Sequence, residues 1–369
     1  MHTPLSLGFI GGGINSAIGM THKIASQMDG HFNIAAGCFS RNEAVNHQTG
    51  EAWGLNKRAI FADALSMLSQ QHEHLDAVVI LTPTPTHYDV IRACLEYRLP
   101  VICEKALVGN VTEAVDIQQR INHMHGKLYV TYNYTGYPMV RELRQRVLNG
   151  ELGTVQQVMV EMPQEGFSRL RPDGSAAAPQ AWRCNDGVIP TVSLDLGVHI
   201  HQLVEFITEK QALDVYAVNS TFAHLSAVVD TVNIVSRYQD EMVCNYWYGK
   251  AALGYRNGLR IRVFGSKGSA EWVQMDPEFL RLTDQYGVVR QLDRTAGDNT
   301  IANQDRYCRF KAGHPAGFIE AFANYYADIA AGLKGENNPY ALTTDTALRG
   351  LRFFEKAQQS ALTSQRVTL

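Results

Sequence analysis

The sequence predicts an α/β protein, a doubly wound parallel sheet followed by an α+β domain on a large, mostly antiparallel sheet. Three observations lead there. Up to Tyr132, short apolar strands alternate with helical patterns of about ten residues or more, the signature of βαβ units. The first strand runs straight into Gly11, Gly12 and Gly13. Beyond Tyr132 the strands lengthen and alternate apolar with polar residues, which suits a sheet with one face against helices.

The elements follow in order. "LSLGFI" (Leu5 to Ile10) is a strand, and the three glycines lead to a helix over Ser16 to Met28. "FNIAAGCFS" is the second strand. Helices cover Glu43 to Trp53 and about Asp63 to Gln70, with Asp63 as N-cap. "LDAVVILTP" is a buried third strand, followed by helix "THYDVIRACLEY", strand "PVICEK", helix "NVTEAVDIQQRINHMHG" and strand "KLYVTYNY". The first domain is thus expected over 1–132 and the second over 133–369, with a C-terminal helix able to pack back on the first. The second domain opens with a helix over Pro138 to Asn149. Its strands are read in "GTVQQVMVEMP", "YAVNSTFAHL", "TVNIVSRYQD", "MVCNYWYGKAAL", "LRIRVFGSKGSAEWVQ" and "FLRLTDQYG". Helices over Gly317 to Leu333 and Thr344 to Leu362 close the chain. Arg171 to Pro190 is too long for a mere connector and is read as a site loop.

Composition narrows the function. At 369 residues, 45% hydrophobic, the chain is long enough for two packed cores. A net charge of -3 without a basic run argues against a nucleic-acid partner. No apolar stretch reaches the roughly 20 residues that span a bilayer, and "MHTPLSLGFIGGGI" reads as a strand rather than a signal peptide. The six cysteines are scattered, with no CxxC pair, as expected of reduced thiols in a cytoplasmic protein.

The glycine turn points to a dinucleotide. Glycine permits a tight turn and close backbone approach to a pyrophosphate, and the helix that follows offers free N–H groups and a positive dipole end. Ser16 replaces the third glycine of G-x-G-x-x-G as a small substitute. Ile14 and Asn15, inside the turn, are expected against the cofactor with Gly11, Gly12 and Gly13. A carboxylate ending the second strand would bind a ribose 2′-OH and repel a 2′-phosphate. Ser40 and Arg41 stand there instead, so both NAD and NADP remain open.

Chemistry is expected where parallel strands end. "LTPTPTH" brings Thr82, Pro83, Thr84 and His87 to the carboxyl edge of the third strand, and "ICEK" brings Glu104 and Lys105 to the same edge. A lysine near the nicotinamide suits proton transfer accompanying hydride chemistry. In "VSLDLGVHIHQLVEF", Asp195 and His199 are four apart on a helix and share a face. An Asp and a His in that apolar setting are expensive unless they serve each other or a ligand. His titrates near working pH and suits a base that takes a hydroxyl proton. His201 diverges from His199 on a helix, and no acid or cysteine cluster completes a coordination set, so no metal site is expected.

Together "GFIGGG", "TPTPTH", "CEK" and "DLGVH" resemble the glucose–fructose oxidoreductase, inositol dehydrogenase and rhizopine-catabolism family, written Gfo/Idh/MocA. The resemblance covers nearly the whole chain and takes in "GELGTVQQV", "IRVFGSKGSAEW" and "GHPAGFIEAFANYYADI". It implies an N-terminal Rossmann domain and a C-terminal domain whose open sheet often forms an oligomer interface, hence a homodimer or homotetramer. It implies sugars, nucleotide sugars or cyclitols as substrates. The family's lysine, aspartate and histidine map onto Lys105, Asp195 and His199. Glu104 is implied beside the nicotinamide ribose, Asn133 beside the amide, and Tyr134 and Arg183 (in the Trp182-Arg183 pair) among the substrate-binding residues. Two departures stand out. The family writes E-K-P, often with a cis Lys-Pro bond, where this chain has Ala106, so a cis or trans Lys105–Ala106 bond is open. The approach to the Asp/His helix, "VIPTVSLDLGVH", is bulkier than the family's glycine-rich version, so substrate identity does not carry over.

The expectation is therefore an NAD(P)-dependent oxidoreductase acting on a secondary alcohol or ketone of a sugar-like molecule. Its rivals are an NAD-dependent glycosidase using transient oxidation, and a catalytically silent cofactor-binding sensor or scaffold.

Overall fold

The computed structural model describes residues 3–176, 179–311 and 313–369. Ala177 and Ala178, part of the long loop singled out above, lie outside them. The chain divides into two compact units, one formed by Met1–Gly136 with Phe318–Leu348, the other by Tyr137–Gly317 with Arg349–Leu369.

The first unit contains β1 (Leu5–Gly11), α1 (Gly19–Gln27), β2 (Phe32–Cys38), α2 (Glu43–Ala52), α3 (Ala64–Gln71), β3 (Ala77–Leu81), α4 (His87–Glu96), β4 (Val101–Glu104), α5 (Val111–Met124) and β5 (Leu128–Thr131). Helices α2, α3 and α5 begin where short polar side chains satisfy open backbone N–H groups. Asp63 accepts from Ser66 N at 2.8 Å and Asn110 from Glu113 N at 2.9 Å. All five strands are parallel, in the order β2-β1-β3-β4-β5. A lone parallel bridge from Gly37 to Ile60 stands where a further strand would extend the sheet past β2. The order reverses between β1 and β3, and ligands of such sheets bind at that crevice. Register fixes which residues share the edge. Cys38, Ile10, Ile80, Cys103 and Val130 lie in one row. One step beyond it Gly11 pairs with Leu81, and Glu104 with Thr131.

The second unit starts with α6 (Pro138–Leu148) and β6 (Val155–Pro163), then α7 (Val198–Thr208), β7 (Ala212–Ser220), β8 (Thr231–Tyr238), β9 (Val243–Gly249), β10 (Arg260–Gly265), β11 (Gly268–Val273), β12 (Phe279–Asp284) and β13 (Val289–Asp293). The chain ends with α8 (Phe318–Leu333), α9 (Thr344–Thr363) and β14 (Val367–Thr368). Nine strands form one sheet, β13-β12-β11-β10-β6-β9-β8-β7-β14, antiparallel at every step except β6 with β9. Along β8, Val232, Ile234, Ser236 and Tyr238 are buried while Asn233, Val235 and Arg237 are exposed, so one face is core and the other open. The open face holds a shallow groove lined by Met159, Tyr216, Val218, Val235, Trp247 and Arg262.

Three local readings change. The helix expected from Ser16 begins at Gly19, because Ser16 Oγ instead accepts the Ile18 and Gly19 N–H groups, both at 3.2 Å. "LRIRVFGSKGSAEWVQ" is not one strand but the hairpin β10–β11. Its turn docks on the segment before β6, with Ser266 N on Thr154 O and Lys267 N on Leu152 O. β13 went unread because only Leu292 of its five residues is buried, which leaves no alternation to see.

α8 belongs to the first unit. Asn324 Nδ2 donates to Gly136 O at 2.8 Å and the Tyr325 hydroxyl to Val130 O at 2.6 Å. Among the described residues no helix is long and apolar enough to cross a membrane.

Candidate functional site

The glycine turn is built for close approach. Gly11 and Gly12 have φ of +84° and +78°, a region that L side chains rarely adopt. A Cβ on Gly11 would lie 2.8 Å from the Leu81 and Thr82 backbone. The tightest contact lies at Gly19, where a Cβ would fall 1.8 Å from Gly12 O. Close packing of helix on strand is the job of the third motif glycine. Here Gly19 does it, while Ser16 caps the helix start. Gly13 N bonds Phe39 O at 3.1 Å and Ile14 N bonds Thr49 Oγ1 at 3.1 Å, which ties the turn to β2 and α2. Ile14 and Asn15 are exposed. At the end of β2, Ser40 Oγ accepts Asn42 N at 3.1 Å and Arg41 is exposed.

The ends of β3 and β4 are braced to each other. Thr86 Oγ1 donates to Pro83 O and lies 2.8 Å from Thr82 Oγ1, while Thr84 is buried in the same 3-10 turn. His87, 1% exposed, sets Nε2 2.7 Å from Thr82 O and Nδ1 2.9 Å from Ala106 O. Burial pushes its imidazole below the usual range, against the pull of those carbonyl bonds. His87 thus joins the turn after β3 to the segment carrying Lys105. The Lys105–Ala106 bond, left open by the sequence, is cis.

Glu104 ends β4. Its Oε1 accepts from His22 Nε2 at 3.0 Å and from the Thr131 hydroxyl. Burial works against its ionisation, but the His22 bond and charge, the Lys105 ammonium and the Thr131 bond outweigh that and hold the carboxyl at about 2. Asn133 opens a fully buried 3-10 turn, Asn133–Gly136, on which α8 sits so closely that a Cβ at Gly136 would lie 1.9 Å from Ala321 O. Asn133 Nδ2 is buried without a hydrogen-bond partner. An orphaned amide is expensive unless a ligand completes it. A glycine cradle at the switch point, an ionised Glu104 and an amide awaiting an acceptor together fit a nicotinamide dinucleotide. Tyr134, in the same turn, is 5% exposed.

In the second unit, the helix carrying Asp195 and His199 opens as a π turn over Ser193–Gly197 before α7. Such bulges are frequent at functional sites. Asp195 and His199 are 6% and 7% exposed. One oxygen of Asp195 is 2.7 Å from Lys250 Nζ, the other 3.3 Å from Arg183 Nη2. Arg183 reaches it from the 3-10 turn Ala181–Cys184, stacked on Trp182 with its guanidinium 4.9 Å from the ring centroid. His201 turns elsewhere, against Phe353 at 4.5 Å, with Nε2 3.7 Å from Glu205. Burial, with Arg349 adding to it, lowers its imidazole to about 3. Among the described residues no group of three or more His, Cys, Asp or Glu gathers as a metal ion would need.

Three residues here escaped the sequence reading. His22 and Thr131 hold Glu104, and Lys250 holds Asp195. Lys250 left a signal, a lysine directly after the alternating strand β9 where Gly249 is also buried. Its ammonium is 5.5 Å from the Phe167 ring centroid and 3.5 Å from Gln164 Oε1.

Comparison with known proteins agrees. Residues 5–132 match the oxidoreductase family with an NAD-binding Rossmann fold, and residues 140–271 the GFO/IDH/MocA C-terminal domain. An uncharacterised oxidoreductase of Bacillus subtilis, YfiI, is 27% identical over 97% of this chain and 95% of its own length. The crystal structure of an inositol dehydrogenase homolog from Azotobacter vinelandii complexed with NAD+ superposes with a TM-score of 0.92 at 26% identity, covering 100% of this chain and 98% of that one. A structure of an inositol dehydrogenase homolog from the same organism, with NADH and myo-inositol, gives 0.90 at 27% identity with the same coverage. The chain is an NAD-binding oxidoreductase of the Gfo/Idh/MocA family.

Proposed function

We propose that the protein moves a hydride between a nicotinamide and a secondary alcohol or ketone of a cyclitol or other sugar-like polyol. The observation that carries this reading is the buried Asp195 carboxylate with a cation on each oxygen. Held ionised in this way, it is an acceptor suited to substrate hydroxyls rather than to apolar groups. The Azotobacter vinelandii homolog with NADH and myo-inositol supports the polyol class.

The residues divide the work. Gly11, Gly12, Gly13, Ile14 and Asn15 would hold the pyrophosphate, Ser40 and Arg41 the adenosine ribose, and Thr82, Pro83, Thr84 and His87 the edge of the crevice. Glu104 would meet the nicotinamide ribose and Asn133 the amide. Bound NAD+ supplies the hydride acceptor. His199 takes the hydroxyl proton, Lys105 anchors the hydroxyl and relays the proton, and Asp195 orients the polyol, with Tyr134 and Arg183 completing substrate binding. Lys250 joins them as the residue that fixes the charge and direction of Asp195.

The open sheet face, with Met159, Tyr216, Val218, Val235 and Phe264 36–48% exposed, supports assembly into a homodimer or homotetramer. All six cysteines are free thiols, in keeping with the cytoplasm.

The test is turnover across a panel of cyclitols, sugars and nucleotide sugars with NAD+ and NADP+. Lys105→Met and His199→Ala are each expected to lower kcat with the best substrate at least about hundredfold. Unchanged turnover in both would overturn the assignment. Release of free sugar without net change in nicotinamide absorbance would replace it with the glycosidase reading.

A further inference from the structure

The imidazole of His22 is fully buried on α1, yet neither of its nitrogens is idle. Nε2 lies 3.0 Å from Glu104 Oε1 and Nδ1 lies 2.7 Å from the hydroxyl of Tyr326 on α8. Hydrogen-bond chemistry sets the direction of this chain. An ionised Glu104 only accepts, so Nε2 carries the proton. The Tyr326 phenol, 1% exposed and pushed well up by burial, keeps its own proton and shares a hydrogen bond with Nδ1. Both ring nitrogens are thereby held, Nδ1 by Tyr326 and Nε2 by the bond it donates to Glu104. Thr131 donates to that same Oε1. Both donors land on one oxygen, Oε1. Phe322 packs edge-on to His22 at 5.0 Å, and Phe32 against Tyr326 at 5.7 Å. Lys105 is the other charge acting on Glu104.

We infer that His22 is a positioning residue that holds the Glu104 carboxylate for the nicotinamide end of the dinucleotide, with Tyr326 holding the ring from its other nitrogen. This rests on the reading that Glu104 meets the nicotinamide ribose. It gives the histidine a role distinct from packing α1 against α8, and the two roles are separable by ligand. A packing role affects the whole dinucleotide site, whereas a positioning role affects only ligands that carry the nicotinamide ribose.

The test compares NAD+ with ADP, which lacks the nicotinamide and its ribose, by titration calorimetry on the full chain. His22→Leu is expected to weaken NAD+ binding about tenfold and leave ADP within about twofold, since one hydrogen bond to a charged group is lost. His22→Gln, whose amide nitrogen can reach the place of Nε2, is expected to restore most of the loss. Tyr326→Phe keeps the ring packing and removes only the hydroxyl, so it decides the matter should His22→Leu fail to fold. Its expected effect is a loss of about twofold to threefold, again for NAD+ alone. In a Glu104→Gln background, His22→Leu is expected to add nothing. Equal losses for both ligands, or none, in the His22 and Tyr326 variants, with Glu104→Gln still selective, would overturn the inference and leave the Glu104 reading standing. Loss of selectivity in Glu104→Gln itself would overturn both.

Discussion

Gly19→Ala is the sharpest probe of the cofactor cradle. The added Cβ would fall 1.8 Å from Gly12 O, 2.6 Å from Gly12 C and 2.9 Å from Gly12 Cα. All three neighbours are backbone, so no side chain can rotate away. Real Cβ atoms essentially never come within 3.0 Å of such neighbours, so α1 must withdraw by roughly 1 Å. Overpacking of this kind costs about 1–3 kcal/mol of stability. The withdrawal also carries the backbone N–H groups of the turn and helix start away from the pyrophosphate. A displacement of about 1 Å at a positioning contact is worth about tenfold to hundredfold. Titration calorimetry should therefore show NAD+ and ADP-ribose weakened together by at least about tenfold, with a lower melting temperature. Gly297→Ala, whose Cβ meets nothing within 4 Å, is the control and should change neither. If Gly19→Ala binds both ligands like the parent and melts at the same temperature, the close-contact argument is wrong.

Further outcomes follow from the charges. Lys250→Met strands the buried Asp195 and should cost about 3–5 kcal/mol in denaturant unfolding, less whatever Arg183 recovers. The double variant with Asp195→Asn should lose clearly less than the sum of the single losses, and strict additivity would deny the pair. Glu104 is held at about 2 against an ordinary 4.5, so its stabilisation is present above pH 4.5 and fades as pH falls toward 2. The gap in melting temperature between the parent and Glu104→Gln should shrink over that window, and a constant gap would refute the ionised reading. His201 is held at about 3 against 6.5, so protonation of the unfolded chain erodes stability as pH falls from 6.5 to 3. His201→Leu should flatten that fall; an unchanged slope would count against a buried neutral ring. With no acid at the end of β2, Ser40→Asp should lower NADP+ affinity relative to NAD+ by about tenfold or more, read by paired titrations.

The sequence by itself determined the doubly wound half, the glycine turn and the carboxyl-edge placement of Thr82 to His87 and of Glu104 and Lys105. Each depends on local patterning, since alternation and apolar run length report burial within a few residues. The same patterning misread Ser16 as a helix start and "LRIRVFGSKGSAEWVQ" as one strand, because caps and turns hinge on contacts made elsewhere. Only the tertiary structure decided which partner each charge takes. Glu104 finds its histidine 82 residues away, and that histidine its phenol 304 residues away. Asp195, which the sequence placed on one helix face with His199 to serve it or a ligand, has Lys250 and Arg183 on its two oxygens. Burial makes a partner obligatory for such groups, and the cost of leaving one unpaired is visible in residue type alone. Which residue fills that need depends on sheet register and helix docking, such as the return of α8 to the first unit, and these are set by contacts across the whole chain.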